Sequence, residues 1–533
     1  MSKLKLFSSS RLLAVITFLF GVFICQYTGN RGVFPIDSFS HFDSGYRILN
    51  GEHPFRDYWI VSGFIIDYFQ SIIFYFLGIN WQTYLLNASL LNGLVSLIVY
   101  LLFNSLGLDF KLSFFYTICF SILSYPSSGT PFVDHHSALL SLIAIVIFIR
   151  AIDKNNLYFW FLVPLFLFLA FLSKQVPASY ILLLIIALTI FHLLQQQKRE
   201  SIKILVMLLL SSLILILSLL TFFKIYDIDL KIFITQYLYY PSTIGSDRYA
   251  NLSYDFKNTF LNFKFIYISL FIFLFLSFKN FYKQKLFYKD INFKIILACI
   301  FLFLSLAQHV IVTKNQIFIF FLIPLFLGFA NIQLDNSDLN YKKYVKLFLI
   351  TLCIGVTLKY HYRFNIDRKF HELNNVDFSK AQSAKSISNK FNGLKWITPN
   401  SKNVEQINSE LILINNFKNI LNADSENKIF LSNYSFFSVL SDENISGFSR
   451  WYPGDNSAFP LKGSKYFQNY KDLIYSTLNK KKINSIYILP DVKENNLLDY
   501  VDSKCFNKYE LKLKIIKYEI NSECLDLFRW KIK

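Results

Sequence analysis

The first group of residues that could do chemistry lies between positions 35 and 59, directly after the first apolar run of the chain. This stretch reads PIDSFSHFDSGYRILNGEHPFRDYW and contains four acids, two histidines and two arginines. A carboxylate held at a membrane surface can act as a general base towards a hydroxyl nucleophile. The stretch therefore predicts an acid–base site in the loop that follows the first apolar run.

Further polar side chains stand at the ends of later apolar runs. Asp134 lies in PFVDHHSALL, followed by His135, while Lys174 lies in LSKQVPA and Lys314 in QHVIVTKNQ. Asp134 either acts on a substrate or favours the helix dipole from the first turn. Lys174 and Lys314 either bind a phosphate or extend to the membrane interface, and His135 either binds substrate or is an interfacial anchor.

The elements that must position these residues are membrane helices. Hydrophobic residues make up 54% of the 533 positions and charged residues 17%, against about 25% charged residues in soluble domains. The apolar residues are bunched in runs close to the length of about 20 residues that crosses a bilayer. The net charge is +19, but the basic residues are scattered through short loops, which argues against nucleic acid binding.

The apolar runs predict eleven transmembrane helices with the N-terminus inside. The predicted spans are 12–27, 82–103, 110–126, 136–152, 157–173, 177–194, 203–224, 260–278, 294–311, 316–334 and 344–361. With this topology the inner loops are rich in Lys and Arg, as the positive-inside rule requires. A further segment, 63–78, is short and contains Asp67 and Gln70, so we expect it to lie in the outer interface.

Three regions are then predicted to project outside: the first external loop 29–62, the loop 226–262 and everything after about residue 360. The fold class predicted for residues 1–361 is an all-α polytopic membrane bundle with interfacial helices.

Residues 362–533 are predicted to form a separate extracytoplasmic α/β domain. The tail has strand-like runs at 428–433, 483–490 and 511–520 and a helix-like run at 466–481. Cys505 and Cys524 are the only cysteines in this polar part of the sequence. They are expected to form a disulfide if the tail lies outside the cytoplasm.

The first loop resembles that of a known family. Its acid-x-x-x-His, followed by Arg-Ile-Leu-x-Gly-x-x-Pro-Phe-Arg-Asp-Tyr, is similar to the first external loop of the GT-C glycosyltransferases. That group includes protein O-mannosyltransferases and the lipid A aminoarabinose transferase. The resemblance extends to the interfacial segment, the Asp134 region and the overall plan. It implies a GT-C type bundle that transfers a sugar from a polyprenyl-phosphate carrier to an acceptor on the outer side of the membrane.

The resemblance also implies roles for residues of this chain. Asp37 stands at the position of the catalytic base and Asp134 at that of a second catalytic acid. The chain departs from the family at Ser38, where relatives often have a glutamate, and at 62–64, where a basic residue is missing. The implied substrate-binding residues are His41, Arg56, Asp57, Lys174, Lys314 and His135. Arg56, Lys174 and Lys314 are candidates to face the leaving phosphate.

Two other acids of the first loop, Asp43 and Glu52, are interpreted as solvated. Whether Mg²⁺ or Mn²⁺ takes part stays open, because Asp37 and Asp134 alone do not form a metal cage.

The expected protein is a hexosyl- or pentosyltransferase that inverts the anomeric carbon, in a bacterial inner membrane. Its partners would be the bilayer, the polyprenyl-phosphate-linked sugar and a lipid, glycan or protein acceptor of the cell envelope. One alternative is a flippase or exporter of lipid-linked saccharide. Another is a ligase that moves a whole glycan from a diphosphate carrier.

Overall fold

The computed structural model describes residues 2–125, 129–281, 289–313, 319–367, 373, 376–401, 403–521, 523 and 524, with side chains from residue 9 onward. It is 70% helical. The helices before the tail are α1 (Ser2–Gly29), α2 (Pro35–Ser38), α3 (Ser40–Leu49), α4 (Phe64–Leu77), α5 (Trp81–Ser105), α6 (Phe110–Leu123), α7 (Val133–Lys154), α8 (Leu157–Ser173), α9 (Gln175–Leu193), α10 (Lys198–Ile225), α11 (Leu230–Ile234), α12 (Tyr240–Ala250), α13 (Lys264–Phe281), α14 (Ile291–Thr313), α15 (Leu322–Asp335) and α16 (Lys342–Tyr360). π-Helical segments lie at Thr235–Tyr239, Lys257–Leu261 and His361–Ile366.

The helix boundaries have local causes. Asp109 caps α6 by accepting from the backbone amides of the first turn, and Asn156 caps α8 in the same way. Helix α4 lies between Gly63 and Gly78, whose φ angles of 81° and 80° favour glycine. The predicted segment 63–78 is thus a separate helix rather than an extension of α5.

Each of the eleven predicted spans overlaps one of these helices. Within the described residues, eight helical segments are long and apolar enough to cross a membrane: Ser9–Gly29, Trp81–Ser105, Val133–Lys154, Gln175–Leu193, Lys198–Ile225, Lys264–Phe281, Ile291–Thr313 and Lys342–Ile366. The chain is therefore a multi-pass helical membrane protein. Helices α6, α8 and α15 are apolar but shorter, so the count of eleven spans stays a prediction.

The chain divides into two compact units, of which the first is helical. It comprises Met1–Gly29, Ala88–Leu219 and Asn251–Asn374. Helices α1 and α5 touch through glycines in this unit, because a Cβ on Gly21 would lie 2.9 Å from the Cα of Gly93. The side-chain amide of Asn92 donates to the carbonyl of Gly21 at 2.9 Å beside this contact. Small residues allow such close helix contacts in membranes.

The second unit comprises Asn30–Asn87, Leu220–Ala250 and Asn375–Lys533. These segments correspond closely to the three regions that the sequence predicts to be outside. The grouping brings the first loop and the tail into one compact body. The predicted division of the chain at residues 361 and 362 is not tested by this grouping and stays a prediction.

The tail contributes a mixed four-stranded sheet to the second unit. Its strands are β3 (Lys428–Leu431), β4 (Ser485–Ile488), β5 (Phe506–Glu510) and β6 (Ile516–Ile520), in the order β3-β4-β6-β5, preceded by a short pair, β1 (Gln382–Ser383) and β2 (Lys395–Trp396). Strands β3 and β4 are parallel and the other neighbours antiparallel. The remaining helices are α17 (Val404–Ala423), α18 (Phe437–Ser441), α19 (Phe467–Lys480) and α20 (Asn495–Leu498).

The predicted strand-like runs of the tail contain β3, β4 and β6, and the helix-like run contains α19. Every residue of β3 and of β4 is buried, as expected for adjacent parallel strands covered on both faces. Cys505 and Cys524 are joined by a disulfide, with their Cα atoms 5.5 Å apart. The predicted pairing is therefore confirmed.

Candidate functional site

The predicted base, Asp37, lies on the short helix α2 that begins at Pro35. Its side chain is partly exposed, while the next residue, Ser38, is buried. Ser38 Oγ accepts from the backbone amide of Phe34 at 2.9 Å. Ser38 thus has a local structural role in the turn that carries Asp37.

His41 belongs to a buried cluster with Asp67 and Arg450. His41 Nδ1 lies 2.6 Å from Asp67 Oδ1, and the guanidinium of Arg450 binds the other carboxylate oxygen. All three side chains are almost completely buried. Burial is the main cause that lowers the pKa of His41, and the charge of Arg450 lowers it further, whereas Asp67 raises it. A neutral histidine with its proton on Nδ1 satisfies this arrangement.

A second buried cluster in the same unit joins Asp43, Arg47, Glu52 and Lys481. Arg47 Nε donates to Glu52 at 2.7 Å, and Lys481 binds the same carboxylate. Arg47 also lies 3.9 Å from Asp43. Burial raises the pKa of Asp43 to about 6, and burial is likewise the main cause that lowers the pKa of Lys481.

The interpretation of Asp43 and Glu52 as solvated acids is therefore wrong. Asp43 is 1% exposed and Glu52 7%, because basic residues from the loop and from the tail enclose them. The loop charges form an internal ionic framework, which agrees with the rule that buried charges are paired.

Arg56 and Asp57 form a local pair at the end of the first loop. Arg56 Nε donates to Asp57 at 2.8 Å, and the Arg56 guanidinium also donates to the carbonyl of Tyr226 at 3.0 Å. Both side chains keep partial exposure, at 28% and 17%. They hold the loop beside the segment that follows α10, and their predicted contact with substrate is not tested.

Asp134 and Lys174 come together in the first unit. Lys174 Nζ lies 2.7 Å from both carboxylate oxygens of Asp134, which is 0% exposed. His309 Nε2 binds Oδ1 of the same carboxylate. Lys174 is thus held by a buried acid rather than extending freely to the interface.

The other predicted residues of this unit have different surroundings. His135 is buried, and its Nε2 binds the backbone carbonyl of Ser124. This contact holds His135 inside the first unit. Lys314 lies outside the described residues.

Sequence reasoning missed Asp67, Arg450 and Lys481 as parts of the first-loop clusters. In the sequence, Asp67 stands out only as a polar residue of the apolar segment 63–78. Their pairing is between residues far apart in the chain, since Asp67 and Arg450 are 383 positions apart. A charged residue inside an otherwise apolar amphipathic helix, as Asp67 is in α4, was the available signal.

Within the part of the chain that the structure describes, no group of three or more His, Cys, Asp and Glu side chains is placed to hold a metal ion. The fold and these clusters define a multi-pass helical membrane protein whose first loop is held in a mixed unit with the tail. No protein-family model matches this chain, and no curated protein matches it.

Proposed function

We propose that this protein is an integral-membrane glycosyltransferase of the GT-C type that transfers a sugar from a polyprenyl-phosphate donor to an acceptor at the outer face of a bacterial inner membrane. Asp37 would accept the proton of the acceptor hydroxyl while its oxygen attacks the anomeric carbon. The bond from that carbon to the phosphate oxygen breaks with inversion, and polyprenyl phosphate leaves.

The observation that carries this proposal is the difference in exposure between Asp37 and two other acids of the first loop. Asp43 and Glu52 are buried. Asp37 is partly exposed and lies on a short helix shortly before them in the chain. A general base has to reach the proton it takes, so a partly exposed acid on a fixed loop suits the role.

Lys174 supplies the second part of the proposal. The leaving polyprenyl phosphate needs positive charge, and electrostatic stabilisation is usually the largest catalytic contribution. A donor phosphate would compete with Asp134 for the ammonium group of Lys174. In this proposal Asp134 and His309 keep the lysine in place until the donor binds.

The outer location of the second unit, which contains Asp37, is supported by two observations. The regions predicted to be outside fall into one compact unit, and that unit contains the Cys505–Cys524 disulfide. Disulfides persist in the periplasm and outside cells rather than in the cytosol.

The test is sugar transfer by the purified full-length protein in nanodiscs. Polyprenyl-phosphate sugars of several kinds are supplied with envelope lipid and glycan acceptors, and released polyprenyl phosphate is measured. Asp37→Asn removes the basicity with little change of size, so transfer should fall by about 10²- to 10⁴-fold, as for a lost general base. Near-normal turnover of this variant would show that Asp37 is not the base.

Asp472→Asn is the matched control, because Asp472 is an exposed acid of α19 bonded only locally to Gln468 at 2.6 Å in the described contacts. It should transfer sugar at the wild-type rate. Movement of lipid-linked saccharide across vesicles without release of polyprenyl phosphate would instead favour the flippase. Release of polyprenyl diphosphate would favour the ligase.

A further inference from the structure

The segment Ser446–Arg450 of the tail, here called the strap, lies against the first loop. All five of its residues are buried. Ser446 Oγ donates to Asp43 at 2.5 Å, the carbonyl of Gly447 accepts from Arg47 at 2.9 Å, and the carbonyl of Phe448 accepts from the amide of Trp59 at 2.9 Å. Ser449 Oγ donates to the carbonyl of Trp59 at 3.5 Å. Each of these strap residues therefore bonds to the first loop.

The strap is itself fixed to the sheet of the tail. The amide of Phe430 in β3 donates to the carbonyl of Ile445, directly before the strap, at 3.0 Å. A Cβ on Gly447 would lie 2.8 Å from the carbonyl oxygen of Phe430, so this close approach requires glycine. The strap connects the rigid sheet to the first loop.

Arg450, the last residue of the strap, holds three different parts of the loop region. Its Nη1 donates to the carbonyl of Ser62 at 2.8 Å, its Nε donates to Ser44 Oγ at 3.3 Å, and its Nη2 binds the carboxylate of Asp67. These partners lie on α3, on α4 and on the connection between them. One guanidinium thus fixes the angle between the two helices.

The same contacts determine the state of His41. Asp67 accepts a hydrogen bond from Nδ1–H, which leaves Nε2 as the basic nitrogen of a neutral imidazole. The charge of Arg450 balances that of Asp67, so the pair does not draw a second proton onto the ring. Asp67 and Arg450 are the charged groups that act on His41 from the elements packed against it.

We propose that the strap is a positioning element of the first-loop site, and that Arg450, acting through Asp67, fixes the orientation and the Nδ1–H tautomer of His41. The tail thereby sets the state of His41, a residue that the family resemblance implies to bind substrate. The inference deepens the proposed function, on which its relevance to sugar transfer rests, while the geometry of the strap does not depend on it.

The test measures the protonation midpoint of His41 in the full-length protein, by hydrogen–deuterium exchange at the ring Cε1 followed by mass spectrometry across a pH series. Arg450→Gln leaves Asp67 without its cation and should move the midpoint upward by about one pH unit, the lower end of the effect of a close charge. Arg450→Lys should stay near the wild-type midpoint. An unchanged midpoint in Arg450→Gln would overturn the proposal.

The double variant Asp67→Asn/Arg450→Gln keeps the experiment decisive if the single variant does not fold. It removes the attraction of Asp67 for a proton as well as the repulsion of Arg450, and the attraction is the larger of the two. Its midpoint should therefore fall below that of the wild type. Loosened folding alone does not shift the His41 midpoint in opposite directions in the two variants. An upward shift of the midpoint in the double variant would contradict the proposal.

Lys462→Gln is the control, because Lys462 is an exposed cation of the tail outside the strap. Its His41 midpoint should equal that of the wild type. These measurements need no substrate, so they succeed or fail independently of the proposed transferase. If neutral His41 binds substrate in sugar transfer, Arg450→Gln should also move the acid limb of the transfer profile to higher pH, and Arg450→Lys should restore it.

Discussion

Removing the charge of Lys174 should destabilise the first unit strongly. Asp134 is 0% exposed, and its carboxylate is bound at both oxygens by Lys174 at 2.7 Å. Breaking a buried ion pair by removing one partner costs about 3–5 kcal/mol, because the other charge is left without compensation. His309 stays as a partner and the Lys174 side chain is 16% exposed, so the lower end applies to Lys174→Gln. We expect the free energy of unfolding to fall by about 3 kcal/mol. This corresponds to a roughly hundredfold larger unfolding equilibrium constant.

The free energy of unfolding can be measured by titrating the protein in mixed micelles with SDS. Lys346→Gln is the matched control, because the Lys346–Asp335 pair of the same unit has a similar distance, 3.0 Å, but side chains 33% and 38% exposed. Exposed ion pairs contribute less than about 1 kcal/mol to the free energy of unfolding. If Lys174→Gln unfolds at the same SDS fraction as the wild type, the reasoning from burial is refuted.

The double variant Lys174→Gln/Asp134→Asn separates stability from donor binding. It replaces the ion pair by two neutral groups, so it should recover most of the lost stability. If Lys174 also binds the donor phosphate, the double variant should fold and yet use the polyprenyl-phosphate sugar poorly. Recovery of both stability and transfer would assign Lys174 and Asp134 a purely structural role.

The remaining predictions concern the second unit. Burial raises the pKa of Asp43 from 3.8 to about 6, so the folded state binds more protons than the unfolded state between these values. The free energy of unfolding of the wild type should therefore fall by about 2 kcal/mol more than that of Asp43→Asn on going from pH 4 to pH 7, and equal pH slopes in SDS titration would contradict the buried position. Alkaline phosphatase fused after Lys380 should be active in a bacterial host and inactive after Lys198, and the reverse pattern would invert the topology. Mass mapping without reductant should find Cys505 and Cys524 joined by a disulfide in membrane-isolated protein. Two free thiols would contradict this disulfide.

The positions of the helices could be predicted because a membrane-spanning helix carries its signal locally, in one apolar run. The run predicted at 82–103 is observed as Trp81–Ser105, and the run at 110–126 as Phe110–Leu123. Helix α6 ends at Leu123, and Ser124 has already left the helical conformation, with a ψ of 14°. Strand β5 carries four exposed residues out of five, so its sequence lacks the apolar alternation by which strands are recognised.

The burial of the first-loop charges could not be predicted, because it depends on partners that are distant in sequence. The loop alone reads as polar and charged, which is typical of a solvated segment. Lys481 pairs with Glu52 and Arg450 with Asp67, and both cations come from the tail. Without the fold of the tail, each acid of the loop looks equally accessible.

The distinction between Asp37 and Asp43 therefore rests on access rather than on basicity. A carboxyl group whose pKa is about 6, as for Asp43, is well matched to general base catalysis near neutral pH. Asp43 is nevertheless 1% exposed and bonded to Ser446 of the strap, so an acceptor hydroxyl does not reach it without displacing the tail. Of these two acids, Asp37 is the one that is partly exposed. Geometry assigns the framework role to Asp43 and leaves the proposed base at Asp37.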